Sequence, residues 1–217
     1  MNLFIYCCGG FGREVADLAR RLNKTQQRWE RIAFLDDTAE ESEAVYRLES
    51  ALREFGGDVI EAVIANGEPF VREMLLKKLR GFQIRLSSLI DETAVISESA
   101  SVGEGAVIFP GCYVSAGATL VRNVAMISGS MVGHDTMVGE NCVLSGHVNL
   151  GGGCMVDNNA YLGMGVQVRE MTRIGRGAIV GMGSIVFADV PDEVIALGNP
   201  CRAVRPNLTK RVFNHER

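Results

Sequence analysis

An α/β domain with a small parallel sheet, followed by a parallel β-helix of hexapeptide repeats, is the fold this sequence predicts. Three observations predict it. Sixteen residues spaced six apart, from Ile96, Val102, Ile108, Val114, Leu120 and Met126 on to Val186, are all aliphatic or Met. Four residues after each stands a small or short side chain, as at Ala100, Ala106, Cys112, Ala118 and Val124. Residues 1 to about 86 behave differently, alternating short apolar runs with apolar residues at helical spacing. A period of six matches neither a helix nor a simple strand. It is the period of a solenoid whose coils are three very short strands.

The N-terminal elements follow in order. Leu3 to Tyr6 reads as a buried strand, and Val15, Leu18, Ala19 and Leu22 as the apolar face of a helix. Ile32 to Leu35 is a second strand ending at Asp36-Asp37, and Val45, Leu48, Leu52 and Phe55 mark a second helix. Val59 to Ala65 is a third strand. Pro69 can open a third helix that carries Val71, Leu75, Leu76 and Leu79. Phe82 to Leu86 is a candidate fourth strand. This alternation argues a parallel sheet with right-handed crossovers.

In the repeat, three hexapeptides make one triangular coil, so residue n stacks on residue n+18. The aliphatic residue points inward and the small residue fits the corner. Glycine directly follows the aliphatic residue at Gly103, Gly133, Gly139, Gly151, Gly163, Gly175 and Gly181, which supplies tight backbone positions. No insertion breaks the frame before Val186, and it is expected to end at Pro191-Asp192.

The chain has 217 residues, 47% of them hydrophobic, and a net charge of −4. An acidic chain without a basic run is a poor candidate for nucleic-acid binding. No apolar run approaches the ~20 residues of a membrane span. The opening Leu3-Phe4-Ile5-Tyr6 reads as a strand rather than a signal peptide. A cytoplasmic enzyme is the expectation. Of the six cysteines, Cys112, Cys142 and Cys154 fall at small corner positions, and no C-x-x-C is present, so no metal site is expected.

Between the first strand and helix lies Cys7-Cys8-Gly9-Gly10-Phe11-Gly12. Glycines there let amides at a helix N-terminus approach a phosphate. The dinucleotide fingerprint is broken, because its first glycine would be Cys7, and there is little room for a full NAD site. Asp36-Asp37 ends the second strand, where open α/β sheets bind nucleosides.

With these residues in place, the chain resembles the bacterial sugar acyltransferases that join a small Rossmann-like domain to a left-handed parallel β-helix. That group includes UDP-4-amino-sugar N-acetyltransferases, GDP-perosamine N-acetyltransferases and sialic acid O-acetyltransferases. The likeness runs from Ile5-Tyr6 and the glycine turn, through Phe34-Leu35-Asp36-Asp37, Leu89-Ile90 and the hexapeptides, to Gly198-Asn199-Pro200-Cys201-Arg202. It implies a nucleotide-sugar-binding domain over residues 1–88, an acyltransferase β-helix over 89–192 and a tail over 193–217. It further implies a homotrimer, acetyl-CoA as co-substrate and no metal.

The family's catalytic His-acid pair matches His134-Asp135, and its acetyl-carbonyl contact, a backbone N–H, falls on Gly152, eighteen residues on. Gly9, Gly10, Phe11, Gly12, Asp36 and Asp37 match the substrate contacts, with Phe11 standing where the bacillosamine-type turn has His. Gly163, Met164, Gly181 and Met182 match the pantetheine channel. The second family His aligns with Val143, and His147 is the nearby candidate for the acetyl-CoA contact. His215 lies in a polar tail and is expected to be solvated. The resemblance implies N-acetylation of a nucleotide-linked amino sugar of the 4-amino-4,6-dideoxy type. The competing readings are a sialic-acid-type O-acetyltransferase and a non-catalytic trimeric β-helix binding module.

Overall fold

The computed structural model describes residues 1–213. The N-terminal sheet is built from β1 (Asn2–Tyr6), β2 (Arg31–Leu35), β3 (Val45–Tyr46), β4 (Ile60–Ile64) and β5 (Arg85–Leu86). Its strand order is β3-β2-β1-β4-β5, parallel throughout. Helices α1 (Gly10–Gln26), α2 (Leu48–Phe55) and α3 (Pro69–Gly81) make the crossovers. Leu3 and Ile5 face one apolar layer with Val15, Leu18 and Leu22 of α1, while Phe4 and Tyr6 face another with Leu75, Leu76 and Leu79 of α3. Period-2 alternation of a doubly covered strand accounts for both.

Two expected elements differ. Val45 does not open the second helix but pairs with Phe34 as strand β3, and the helix begins at Leu48. A β-branched side chain favours the pleated position, and the chain turns into the helix only after Arg47. The fourth strand is confined to Arg85–Leu86, because Phe82 and Gln83 complete the C-terminal turn of α3.

From Leu89–Ile90 onward the chain forms a parallel β-helix of two-residue strands, with three sheets running along the prism. Tyr113 pairs with Met131 and Met131 with Asn149, so each rung is eighteen residues from the next. The inward residues Val114, Val132, Leu150, Val138, Val156, Leu144 and Leu162 are fully buried. Ile96 and Val102, in the first coil, are only partly covered. Ile90 stands beside Ile108, so the stacking already includes the hexapeptide before Ile96.

The end of the frame also differs. Ile174 bridges to Val190 and Val180 pairs with Ala196, sixteen residues on rather than eighteen. Val190 is therefore an inward strand residue rather than a corner residue, and two residues are missing from the last coil. The strands Val194–Leu197 and Arg202–Pro206 then form an antiparallel hairpin on the same sheet.

The turns use two kinds of position. Left-handed φ occurs three residues after the inward residue, at Gly105, Gly117, Asn123, Asp135, Asn141, His147 and Asn159 among others. Gly, Asn and Asp dominate there because they tolerate that region. The glycine directly after the aliphatic residue has another cause. A Cβ at Gly133 would stand 2.6 Å from the Gly151 carbonyl carbon, and one at Gly163 2.6 Å from the Met182 nitrogen.

One outer face of the prism carries the N-terminal domain. Ala125, Val143, Tyr161 and Ile179, stacked eighteen apart, pack with Phe11, Ile195 and Val212. The rings of Phe11 and Phe109 stack at 5.9 Å. Beside this contact lies Arg72, fully buried, with a guanidinium that donates to the carbonyls of Ile64 (2.7 Å), Asn66 (3.2 Å) and Asn123 (2.7 Å) and to Asn123 Oδ1 (2.7 Å). Burial lowers its pKa to about 9, so it remains cationic at neutral pH. Asn123 then donates to Asn141, Asn141 to Asn159, and Asn159 to Glu73 of α3. This asparagine ladder ties three coils to the N-terminal domain.

Candidate active site

Strand β1 lies between β2 and β4, so the chain crosses to opposite sides of it. In open parallel sheets that is the point where loops diverge and leave a crevice. The loops after β1 and β4 line a cavity of about 610 Å³, with Gly9, Gly10, Phe11 and Gly12 on one side and Asn66 to Glu68 on another. The outer face of the prism, at Ile127, Val143 and Tyr161, closes it.

The three glycines of the turn are not equivalent. A Cβ at Gly12 would stand 2.9 Å from the Cys7 carbonyl carbon and closer still to its oxygen, so packing demands glycine there. A Cβ at Gly9 or Gly10 would meet nothing within 4 Å. The fold leaves those two positions open toward the cavity. Gly9 caps α1 without any side-chain bond, so the first amides of a 17-residue helix are open to an anion. Cys7, where the dinucleotide fingerprint has glycine, adopts φ of 85°, a region costly for any L side chain. Burial raises the pKa of Cys7, and burial together with Asp36 raises that of Cys8. Both thiols stay protonated at neutral pH and are poor nucleophiles.

Asp36 and Asp37 do not line this cavity. Asp36 accepts hydrogen bonds from the Cys8 N–H (3.1 Å), the Thr38 N–H (3.0 Å), the Thr38 hydroxyl (2.7 Å) and the Ala39 N–H (3.2 Å). Burial works to raise its pKa, but these bonds outweigh it and hold the carboxyl at about 2. Asp37 accepts from the Tyr6 hydroxyl at 2.6 Å and pairs with Lys78 at 3.0 Å. Asp36 braces the glycine turn from behind, and Asp37 is engaged by β1 and α3.

A second cavity of about 510 Å³ lies further along the same face. Gly163, Met164, Gly181 and Met182 all line it, so the four positions expected to meet one ligand come together. It shares Ser145, Tyr161, Arg211 and Phe213 with the first cavity.

His134 and Asp135 stand on another edge of the prism, at the turn between the rungs Met131–Val132 and Met137–Val138. His134 Nδ1 lies 2.9 Å from Asp135 Oδ2, and both side chains are exposed, at 69% and 74%. The imidazole covers Gly152 on the next coil, where a Cβ would stand 2.5 Å from Cε1 and 2.9 Å from Cδ2. A side chain at Gly133 would stand 2.7 Å from the Gly152 nitrogen. Two glycines therefore keep the imidazole and this amide side by side, and no group among the described residues accepts from the Gly152 N–H. None of His134, Asp135 and Gly152 lines either cavity.

His147 occupies a third location, an exposed left-handed turn residue with φ of 58°. Its ring lies over Gly129, where a Cβ would come within 2.7 Å of Nδ1, and it too lines neither cavity. His215 is outside the described residues. Sequence reasoning missed Asn66, Tyr161, Arg211 and Phe213, which line the cavities but are scattered along the chain. The signal available was Ala65-Asn66-Gly67 at the end of the strand beside β1. Among the described residues no cluster of three or more His, Cys, Asp or Glu could hold a metal ion. No helix of the described residues is long and apolar enough to cross a membrane.

Comparison with known proteins agrees with this architecture. Residues 2–79 match the PglD N-terminal domain family and residues 84–190 the GMPPB C-terminal domain family. PerB from Caulobacter crescentus, solved with CoA and GDP-perosamine, is 28% identical with a TM-score of 0.85, over 94% of this chain and 97% of that one. The acetyltransferase domain of PglB from Neisseria gonorrhoeae is 26% identical with a TM-score of 0.84, over 94% of this chain and 99% of that one. An acyl-[acyl-carrier-protein]--UDP-N-acetylglucosamine O-acyltransferase from Pseudomonas paraeruginosa is 32% identical over 88 residues, 39% of this chain and 34% of that protein. The chain thus spans about a third of the length of the curated relatives it matches. In its Rossmann-like domain and its left-handed β-helix together, the chain is similar over nearly its whole length to these bacterial sugar acetyltransferases.

Proposed function

We propose that the protein is an acetyl-CoA-dependent N-acetyltransferase acting on a nucleotide-linked amino sugar of the 4-amino-4,6-dideoxy type. The observation that carries this reading is the His134 imidazole held over Gly152, with its Nδ1 turned to Asp135. Asp135 accepts a hydrogen bond from Nδ1–H, which leaves the Nε2 lone pair as the basic face. Nε2 takes a proton from the sugar amine as the nitrogen attacks the thioester carbonyl. The C–N bond forms, and the carbonyl electrons move onto oxygen, where the Gly152 N–H donates to them. Collapse of that intermediate breaks the C–S bond, and the departing CoA sulfur takes the proton from the imidazolium. A positioned base contributes ~10²–10⁴-fold and one oxyanion donor about 2.7–4 kcal/mol.

The first cavity takes the nucleotide sugar, with its phosphates toward the open glycine turn. The second takes the pantetheine arm of acetyl-CoA, along the backbone of Gly163 and Gly181. His134 lies on another edge, so the complete site needs a second copy of the chain. Homotrimerisation supplies it. Val95, Tyr113 and Met131 form an exposed apolar stack on one face of the prism, and Met137 and Met155 stand on the adjoining face, with His134 at the corner between. Exposed apolar surface of this kind, flanking a functional turn, fits contact between copies.

The test is steady-state acetyl transfer to UDP-, GDP- and dTDP-linked amino sugars, read by thiol release and by product mass, with sedimentation of the same sample. Acetylated product from wild type, its loss in His134→Asn, and a trimer support the reading. Absence of product with every acceptor, or full activity in His134→Ala, defeats it.

A further inference from the structure

The first cavity is walled on one side by the C-terminal tail, and the tail is held at both ends. At its start the Asn207 side chain donates to the Gly177 carbonyl at 2.9 Å, and the Asn207 N–H donates to the Glu193 carbonyl at 2.7 Å. At its other end the buried Glu68 carboxylate accepts from the N–H groups of Val212 (2.7 Å) and Phe213 (2.9 Å). The Phe213 ring meets Tyr161 edge-on at 5.7 Å and lies over Gly67. Lys210, between these anchors, sits 4.8 Å above the Phe70 ring.

Arg211 directly precedes the Glu68 clamp. Its backbone is therefore held, while its side chain is exposed and has no hydrogen-bond or ion-pair partner among the described residues. It lines both cavities, but its weight differs between them. The second cavity has another cation, Arg205. In the first, Arg211 is the one cation among the lining residues, and the other charged groups there are the carboxylates of Glu14 and Glu68. Without Arg211 the only charged side chains in that lining would be carboxylates. With it, a cationic residue borders the same space as the uncapped N-terminal turn at Gly10, Phe11 and Gly12.

We infer that Arg211 is a binding residue for a phosphoryl group of the nucleotide-linked sugar, carried into the site by the clamped tail. The planar guanidinium suits two oxygens of one phosphate, and the helix amides bind others. This inference rests on the proposed function for the identity of the ligand, and on the cavity and the clamp for its location.

The experiment measures binding of UDP and GDP to wild type, Arg211→Gln and Arg211→Lys by calorimetry at low and moderate salt, with steady-state kinetics in parallel. Loss of a charge-assisted, bidentate contact is expected to weaken nucleotide binding about 10- to 100-fold in Arg211→Gln. Arg211→Lys should recover part of that loss, and the salt dependence should flatten in Arg211→Gln. The KM for the nucleotide sugar should rise and that for acetyl-CoA should not. Equal nucleotide affinity in wild type and Arg211→Gln, or a defect confined to acetyl-CoA, overturns the inference. Acetyl transfer by a wild type whose nucleotide affinity ignores Arg211 sinks the inference and keeps the enzyme. Arg211-dependent nucleotide binding without any acetyl transfer does the reverse.

Discussion

Replacing Gly152 by alanine tests the proposed chemistry with the least disturbance to the fold. The new Cβ would stand 2.5 Å from His134 Cε1 and 2.9 Å from Cδ2, and nearer still to Nε2. Ordinary van der Waals contact begins at 3.4 Å, so the imidazole must withdraw by about 1 Å, a displacement that can cost ~10²-fold in rate. That factor corresponds to about 2.7 kcal/mol in the barrier. The cost to stability should be small, within about 0.5 kcal/mol. The His134 side chain is 69% exposed and free to move, and Gly152 is not among the residues with left-handed φ. The Gly152→Ala variant keeps its backbone N–H, so the proposed oxyanion donor itself is retained. The assay is kcat/KM for acetyl transfer beside a thermal melt. Unchanged kcat/KM in Gly152→Ala would refute the placement of His134 as base. A large fall in Tm would refute the claim that the imidazole yields freely.

Other expectations concern the turn, the buried cation and acid stability. Gly10→Ala should melt like wild type yet raise the KM for the nucleotide sugar, because its Cβ meets only open cavity. Gly12→Ala should instead lose about 1–3 kcal/mol of stability by overpacking against the Cys7 carbonyl, read by denaturant unfolding. Arg72→Met strips donors from the buried carbonyls of Ile64 and Asn123 and from the half-buried carbonyl of Asn66. Relief from burying a cation offsets part of that loss, and a net destabilisation of about 3 kcal/mol remains, a Tm fall of roughly 6–12 °C. Asp36 has a folded pKa of about 2 against an ordinary 3.8. Its stabilisation is therefore present above pH ~4 and fades as pH falls from there toward about 2. Asp36→Asn should lower stability at neutral pH and remove that portion of the acid-side slope in melts taken across pH.

The prism was legible because its signal is a repeated count. Any frame from Val102 to Ile174 stacks n on n+18, so His134 and Gly152 could be placed on neighbouring rungs from their numbers alone. The last coil was not legible, because Val190 keeps a small-residue spacing after Val186 whether it turns a corner or fills a strand. Val45 was misplaced because its spacing to Leu48 and Leu52 suits a helix, while Phe34 offered it a strand partner that no local pattern reveals. Asp36 looked like a ligand group, since strand-end acids often are. The hydroxyl and amide of Thr38, two residues on, had already taken it into a local turn. The cavities were hidden for a different reason. Gly9 and Arg211 lie at opposite ends of the chain, and only the tertiary fold brings them to one cavity.

An eighteen-residue pitch makes spatial neighbourhood on this scaffold a matter of arithmetic. One extra residue between positions 134 and 152 would shift every later side chain by one place, turning aliphatic residues outward unless it escaped as a protruding loop. Six extra would keep the interior oily yet carry the imidazole's neighbour to another side of the triangle. A whole added coil would restore the side but leave a gap of one rung, roughly 4.8 Å. Length changes that preserve folding can thus still abolish function here, and substitutions offer this architecture a safer route to variation than insertions do.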